Sequence, residues 1–146
     1  MKIRERVELR ADFPNDDVED DRGDIIQFGG RNIAEVMGKM LEGLGCKVSA
    51  PEYAGEHGWE FDFYIGGRRF WCQATDMQED AMFIFKDMAW VIGFWFSRPR
   101  PNPIFADLLT RVNAGLALDP RFGPPLWYPL NNSRAPGANE PVSDAA

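Results

Sequence analysis

Histidine and cysteine are scarce in this sequence, and their scarcity limits the chemistry that the chain can support. Among 146 residues there are one histidine, His57, and two cysteines, Cys46 and Cys72. A zinc site needs a cluster of such ligands, so no metal is predicted, and no nucleotide-binding motif points to another cofactor. The cysteines show no Cys-x-x-Cys spacing and the N-terminus shows no export signal. We therefore expect reduced thiols in a cytoplasmic protein.

Positive charge and long apolar segments are also in short supply. Lys and Arg number 16 against 23 Asp and Glu, which gives a net charge of -7. Because phosphate binding draws on clustered Lys and Arg, we expect no nucleic-acid partner. The longest apolar run, residues 89–96, is far too short to cross a bilayer, so we expect no membrane partner. The acidic balance instead suits a protein that binds basic surfaces of other proteins.

Material for a hydrophobic core is abundant. Hydrophobic residues make up 45% of the chain and aromatic residues 13%. A chain of this length supports one domain, and we predict a single globular domain over residues 1–130. Residues 131–146 (NNSRAPGANEPVSDAA) are small, polar and proline-containing, which predicts a disordered C-terminal tail.

Two helices are predicted from capping residues and apolar spacing. Asn32 stands at the N-cap of the first helix with Glu35 at the capping-box position, and Gly45 stands where a C-terminal glycine cap belongs. Apolar residues recur between them at steps of three and four. Asn102 caps the second helix with Pro103 at its first position, and we expect this helix to end within residues 113–119.

Alternating residues and short apolar runs predict the strands. These are residues 7–13, 46–50, 59–65, 68–75, 82–85 and 90–96, with 126–128 as a candidate edge strand. The order of elements indicates an α+β fold, with a mainly antiparallel sheet of about five to six strands and two helices packed on one face. Residues 15–24 (NDDVEDDRGD) are rich in carboxylates, and we expect them to form a solvated loop.

The clearest local signal is the segment GWEFDFYIGGRRFWCQATD, residues 58–76. Gly66 and Gly67 accept the positive φ angles of a two-residue turn, so the strands on either side are predicted to form a hairpin. One alternating set then forms a core face: Trp59, Phe61, Phe63, Phe70 and Cys72. The opposite face carries the candidate binding residues Glu60, Asp62, Tyr64, Arg69, Trp71 and Gln73. Arg69 is predicted to lie within reach of Asp62 for a charge pair.

Two interpretations of this opposite face stay open. It is either a solvated sheet surface on which Trp71 aids packing, or a recognition face, because Trp, Tyr and Arg are enriched at binding hot spots. The leading hypothesis is a non-catalytic protein-binding module that covers a basic partner through this acidic and aromatic face. Its size and charge are similar in type to those of bacterial immunity proteins and secretion chaperones, although no motif identifies either.

The sequence also allows an enzymatic and a structural hypothesis. The protein is alternatively a small hydrolase or transferase that uses the paired carboxylates Glu60 and Asp62, with Arg69 orienting an anionic substrate. The sequence does not assemble a nucleophile, a base and an orienting group, which favours the non-catalytic hypothesis. The third hypothesis is a subunit that forms a homodimer through the apolar residues 90–96.

Overall fold

An antiparallel sheet forms the centre of the protein. The structure is a computed structural model that describes residues 1–88, 102–132 and 134–144. Its strands are β1 (Lys2–Ile3), β2 (Arg6–Arg10), β3 (Val18–Glu19), β4 (Ile25–Gln27), β5 (Lys47–Val48), β6 (Glu52–Tyr53), β7 (Trp59–Ile65), β8 (Arg68–Met77), β9 (Asp80–Asp87), β10 (Leu126–Tyr128) and β11 (Val142–Ser143). The helices described are α1 (Arg31–Gly43), α2 (Pro103–Leu118) and a short 3-10 helix (Gly55–His57). The main sheet has the order β10-β2-β9-β8-β7-β5, and β6 also pairs with β7.

Both α-helices pack on one face of the main sheet, as predicted for this α+β fold. Side chains alternate between the two faces of a strand, and Phe63, Phe70, Phe83 and Phe85 are fully buried on the helix side. The ring of Phe70 stacks on that of Phe105 in α2, with centroids 5.6 Å apart. The helices complete the core with Ile33, Met37 and Leu41 from α1 and with Leu108, Leu109, Val112 and Leu116 from α2.

The central hairpin forms with the predicted pairing. β7 and β8 are antiparallel, and Asp62 lies opposite Trp71, Tyr64 opposite Arg69. Gly66 and Gly67 both have positive φ angles, 53° and 83°, which a side chain would strain. The hairpin therefore has its register set by the turn, and its two faces are those that the sequence predicts.

The sheet has more strands than the five to six predicted, because its outer edge is interrupted. The predicted strand 46–50 is the shorter β5, and a second edge strand, β6, lies where no strand was predicted. Pro51 stands between them and cannot donate to a strand ladder, so the edge breaks there. Pairing resumes where Tyr53 lies opposite Trp59, with ring centroids 5.3 Å apart.

Other strands differ from prediction at their ends. The first predicted strand, 7–13, is β2 at Arg6–Arg10, followed by an isolated bridge between Ala11 and Phe122. The predicted strand 82–85 is longer at both ends as β9, and residues 126–128 do form the edge strand β10. The predicted strand 90–96, and the homodimer contact assigned to it, lie outside the described residues.

The acidic segment caps the N-terminus of α1, whereas the sequence predicted Asn32 as the cap. The N-cap residue is Gly30, with φ of 113°. Asp16 accepts hydrogen bonds from the backbone nitrogens of Gly30 at 2.8 Å and Asn32 at 2.9 Å, and Asp17 accepts one from Gly29. Residues 15–24 are therefore not simply a solvated loop. Asp16 satisfies two backbone donors at the helix N-terminus, Asp17 satisfies Gly29 just before it, and part of the segment forms β3.

The remaining helix ends follow the sequence signals. Gly45 has a φ of 95° just beyond α1, in keeping with a glycine cap. The side chain of Asn102 accepts from the backbone nitrogen of Ile104 at 3.0 Å, so it caps α2 as predicted. α2 ends at Leu118, within the predicted range.

Residues 134–144 are ordered, which corrects the prediction of a disordered tail over residues 131–146 for this part of the chain. β11 pairs with β1 at the N-terminal end of the chain. Trp127 and Ala138 exchange two backbone hydrogen bonds of 2.7 and 2.9 Å, so this segment also lines the outer edge of β10. Small polar residues bury little surface, but their backbone groups are as able to pair as those of any strand.

Candidate interaction surfaces

The six candidate binding residues lie together on the face of the sheet opposite the helices. We call this set the sheet face: Glu60, Asp62, Tyr64, Arg69, Trp71 and Gln73. Their sequence neighbours Phe61, Phe63 and Cys72 are buried on the helix side, which fixes the orientation of the alternating set. Arg69 is exposed and the other five are half-buried. The structure therefore brings together every residue that the sequence assigned to this surface.

Arg69 and Asp62 form the predicted charge pair. The guanidinium Nη2 lies 3.2 Å from Asp62 Oδ1, and the side chains are 52% and 28% exposed. Arg69 is the exposed member, whereas Asp62 is half-buried and its Oδ1 is shielded from solvent, so the arginine is the member more accessible to a partner.

Trp71 lies between an acidic and a basic neighbour. Asp62 is opposite it on β7 and Lys86 is opposite it on β9. The Lys86 ammonium lies 5.5 Å from the centroid of the Trp71 ring, within cation–π range. The predicted strand 82–85 stops one residue before Lys86, so this contact was not predicted from the sequence. The alternation of buried Phe83 and Phe85 with outward residues, continued one step further, predicts it.

The sheet face is not acidic as a whole. Beyond the predicted six residues, β2 and β9 add Arg6, Glu8 and Lys86 to the same side of the sheet. Arg6 lies over the ring of Tyr128, with its guanidinium carbon 4.8 Å from the ring centroid. This face therefore carries both carboxylates and cations, with the apolar Ile84 and Met82 of β9 between them, and it is not the main source of the net negative charge.

A concentration of negative charge lies in residues 15–28, which we call the acidic hairpin. β3 and β4 pair within it as a separate two-stranded sheet. Its carboxylates are Asp16, Asp17, Glu19, Asp20, Asp21 and Asp24, against the single cation Arg22. It also exposes large apolar side chains: Val18, Ile25, Ile26 and Phe28. The charge of this segment is evident from the sequence, but its strands are not, since they are only two and three residues long.

A smaller group of carboxylates lies where the acidic hairpin meets the sheet. Asp76 lies against Gly30, its Cβ 3.4 Å from the position that a side chain on that glycine would take. Burial raises the pKa of Asp76, and the nearby Asp17 and Asp16 carboxylates raise it further. Among the described residues, no group of three or more His, Cys, Asp or Glu side chains is arranged to hold a metal ion.

The two thiols do not provide an activated nucleophile for the paired carboxylates Glu60 and Asp62, and the groove beside α1 does not include these carboxylates. Cys72 is fully buried, and burial raises the pKa of its thiol well above the ordinary value. Burial also raises the pKa of Cys46. A groove of about 190 Å³ runs between α1 and the strand edge near Val48, and neither Glu60 nor Asp62 lines it.

Comparison of the chain with protein-family models, with curated proteins and with solved structures finds no match in any of the three. No helix in the described part of the chain has both the length and the apolar character needed to cross a membrane. Function therefore has to be argued from the surfaces themselves.

Proposed function

We propose that the protein is a non-catalytic binding module whose sheet face contacts another protein that carries a basic surface. The observation that carries the proposal is the position of Trp71 at the centre of this face, between Asp62 and Lys86 and next to the Arg69–Asp62 pair. Trp, Tyr and Arg are the residues that most often dominate binding energy at protein interfaces.

The strands that carry these residues support the proposal. β7 and β8 are interior strands of the main sheet and pair along their whole predicted length. Side chains on such strands are held in position before a partner arrives, so less conformational entropy is lost on binding.

The charges favour a basic partner in two ways. The net charge of -7 attracts a positively charged protein over a distance and raises the association rate. At contact, a lysine or arginine from the partner can take the place of Arg69 beside Asp62, while Glu60 accepts a second cation. The exchange requires the Arg69 side chain, which is 52% exposed, to leave the half-buried Asp62 carboxylate, which is 28% exposed.

A non-catalytic role is favoured over the hydrolase or transferase alternative by the surroundings of Glu60 and Asp62. The described groove lies elsewhere, and Asp62 is already paired with the arginine that the alternative would use to hold a substrate. As part of the proposal, we place the protein in the cytoplasm, because both cysteines are free thiols, and assign it an immunity- or chaperone-like role.

The test is affinity capture with chemical cross-linking in lysate of the source organism. The double variant Asp62→Ala/Trp71→Ala is expected to lose a captured protein of basic isoelectric point. The matched control is Asp107→Ala/Leu118→Ala, which removes a carboxylate and an apolar side chain exposed on α2. Equal capture by wild type and both variants would contradict the proposal, provided that circular dichroism shows all three folded.

A further inference from the structure

The acidic hairpin is a second interaction surface, separate from the sheet face. We propose that it binds an extended segment of another protein in which lysine or arginine alternates with apolar residues, and that this segment adds to the hairpin as a strand. The inference rests on the proposed function for the basic character of the partner, and it assigns a different part of the chain to that contact.

Exposed apolar side chains are the first observation behind this inference. Val18 is 41% exposed, Ile25 46%, Ile26 62% and Phe28 46%, all within one short hairpin. Tyr53, 38% exposed, lies beside them, because its hydroxyl accepts a hydrogen bond from the backbone nitrogen of Phe28. Single exposed apolar residues are ordinary, but a contiguous cluster with a polar rim is typical of interaction sites.

Free strand edges are the second observation. β3 and β4 pair with each other, and in the part of the chain that the structure describes no further strand joins them. The outer backbone groups of such a pair are a ready template for an added strand. The added strand would place alternate side chains beside Ile26 on one face of the hairpin, and the side chains between them would point to the other face, which is why the occupant is expected to alternate polar and apolar residues.

The charge of the acidic hairpin determines which kind of segment it can bind. The acidic hairpin carries six carboxylates against one arginine, so a lysine-rich segment is attracted and an acidic one is repelled. The same charge opposes a second copy of this chain, whose hairpin would bring equal negative charge to the contact. The acidic hairpin thus attracts a basic segment and discourages self-association.

The hairpin is anchored firmly enough to present this surface. The indole nitrogen of Trp59 donates to the backbone oxygen of Phe28 at 3.2 Å, and Tyr53 holds the backbone nitrogen of the same residue at 3.0 Å. At the other end of the segment, Asp16 is bound to the N-terminus of α1. A surface tied at both ends loses less entropy on binding than a free loop.

The experiment uses the full chain labelled with nitrogen-15 and two short synthetic peptides, one alternating lysine with leucine and one alternating lysine with serine. Saturable amide shifts are expected for the lysine–leucine peptide at residues 18–28 and at Tyr53, with weaker binding of the lysine–serine peptide. Ile26→Ser should weaken the binding about tenfold, since it removes one apolar contact. Ile104→Ser, at a site 49% exposed on α2, is the matched control and should leave binding unchanged.

Four outcomes would overturn the assignment. Equal affinity for the two peptides would remove the apolar contribution, and the absence of saturable shifts would remove the site. Sedimentation that shows self-association abolished by Ile26→Ser would make a second copy the occupant. Shifts confined to residues 60–73 and lost in Trp71→Ala would move the contact to the sheet face, in which case the proposed function stands and only the hairpin assignment fails.

Discussion

Lys86 lies over the ring of Trp71, with its ammonium 5.5 Å from the ring centroid, because the two residues face each other across β9 and β8. We expect Lys86→Met, which keeps the aliphatic stem, to cost about 0.5 to 1 kcal/mol of unfolding free energy. A double-mutant cycle with Trp71→Leu, measured by urea denaturation, isolates the pairwise energy. Lys39→Met, on the exposed face of α1, is the control, and a coupling energy of zero would contradict the contact.

Asp16 is predicted to stabilise α1 although it lies outside the helix. Its two carboxylate oxygens accept from the backbone nitrogens of Gly30 and Asn32, so Asp16→Ala leaves two helix donors without a partner. The expected loss of unfolding free energy is about 1 to 2 kcal/mol. Asp21→Ala removes an exposed carboxylate from the same segment and should change stability by less than about 0.5 kcal/mol. Equal losses in the two variants would show that the cap is unimportant.

The cap on α1 also explains which parts of the fold the sequence could predict. The β7–β8 hairpin was predictable because Gly66-Gly67 and the alternation of residues beside it are local signals that fix turn, register and both faces. The cap was not, since Asp16 reaches Gly30 across a chain separation that no local pattern encodes, and the nearby Asn32 offered a plausible substitute.

Two features of the candidate surfaces were also not predicted from the sequence. Lys86 lies outside the predicted strand 82–85 because the apolar residues of β9 end at Phe85, although the strand continues to Asp87. The acidic hairpin looked like a solvated loop, since carboxylates dominate its composition and its strands are too short for alternation to show. Strand pairing between backbone groups that are far apart in the sequence, such as that of β11 with β1, leaves no signature in side-chain composition.

Asp76 is predicted to lower stability at neutral pH. Burial and the neighbouring Asp17 and Asp16 carboxylates raise its pKa above the ordinary value, so the folded state binds this proton more tightly than the unfolded state. The cost of the charged form is therefore complete above the folded-state pKa and falls as the pH drops through that value towards the unfolded one.

The variant Asp76→Asn tests this sign. Asn keeps an oxygen that can accept from the backbone nitrogen of Gln78, as Asp76 does at 2.8 Å, but it carries no charge. It should be more stable than wild type at pH 7, and its advantage should shrink as the pH is lowered. Asp21→Asn is the control. A urea midpoint for Asp76→Asn below that of wild type at pH 7 would contradict the prediction.

Gln78 is the one non-glycine residue among those described that has a positive φ angle, 74°. It occupies the first position of the two-residue turn between β8 and β9, where glycine is preferred. Gln78→Gly should raise the unfolding free energy by about 0.5 to 1 kcal/mol, because relief of backbone strain exceeds the added entropy of the unfolded chain. Glu79→Gly, at the other turn position, should destabilise. Thermal unfolding of the two variants decides, and a lower Tm for Gln78→Gly would count against the turn geometry.

The C-terminal segment is predicted to contribute to stability through its backbone. Trp127 is fully buried and exchanges two hydrogen bonds with Ala138, so Ala138→Pro removes the donor of one of them. We expect a loss of about 1 to 3 kcal/mol, measured by urea denaturation. Ala138→Ser keeps the donor and should behave as wild type. If Ala138→Pro and Ala138→Ser unfold at the same urea concentration, residues 134–144 do not pair with the edge of β10. An unpaired segment would lose no hydrogen bond when the Ala138 donor is removed.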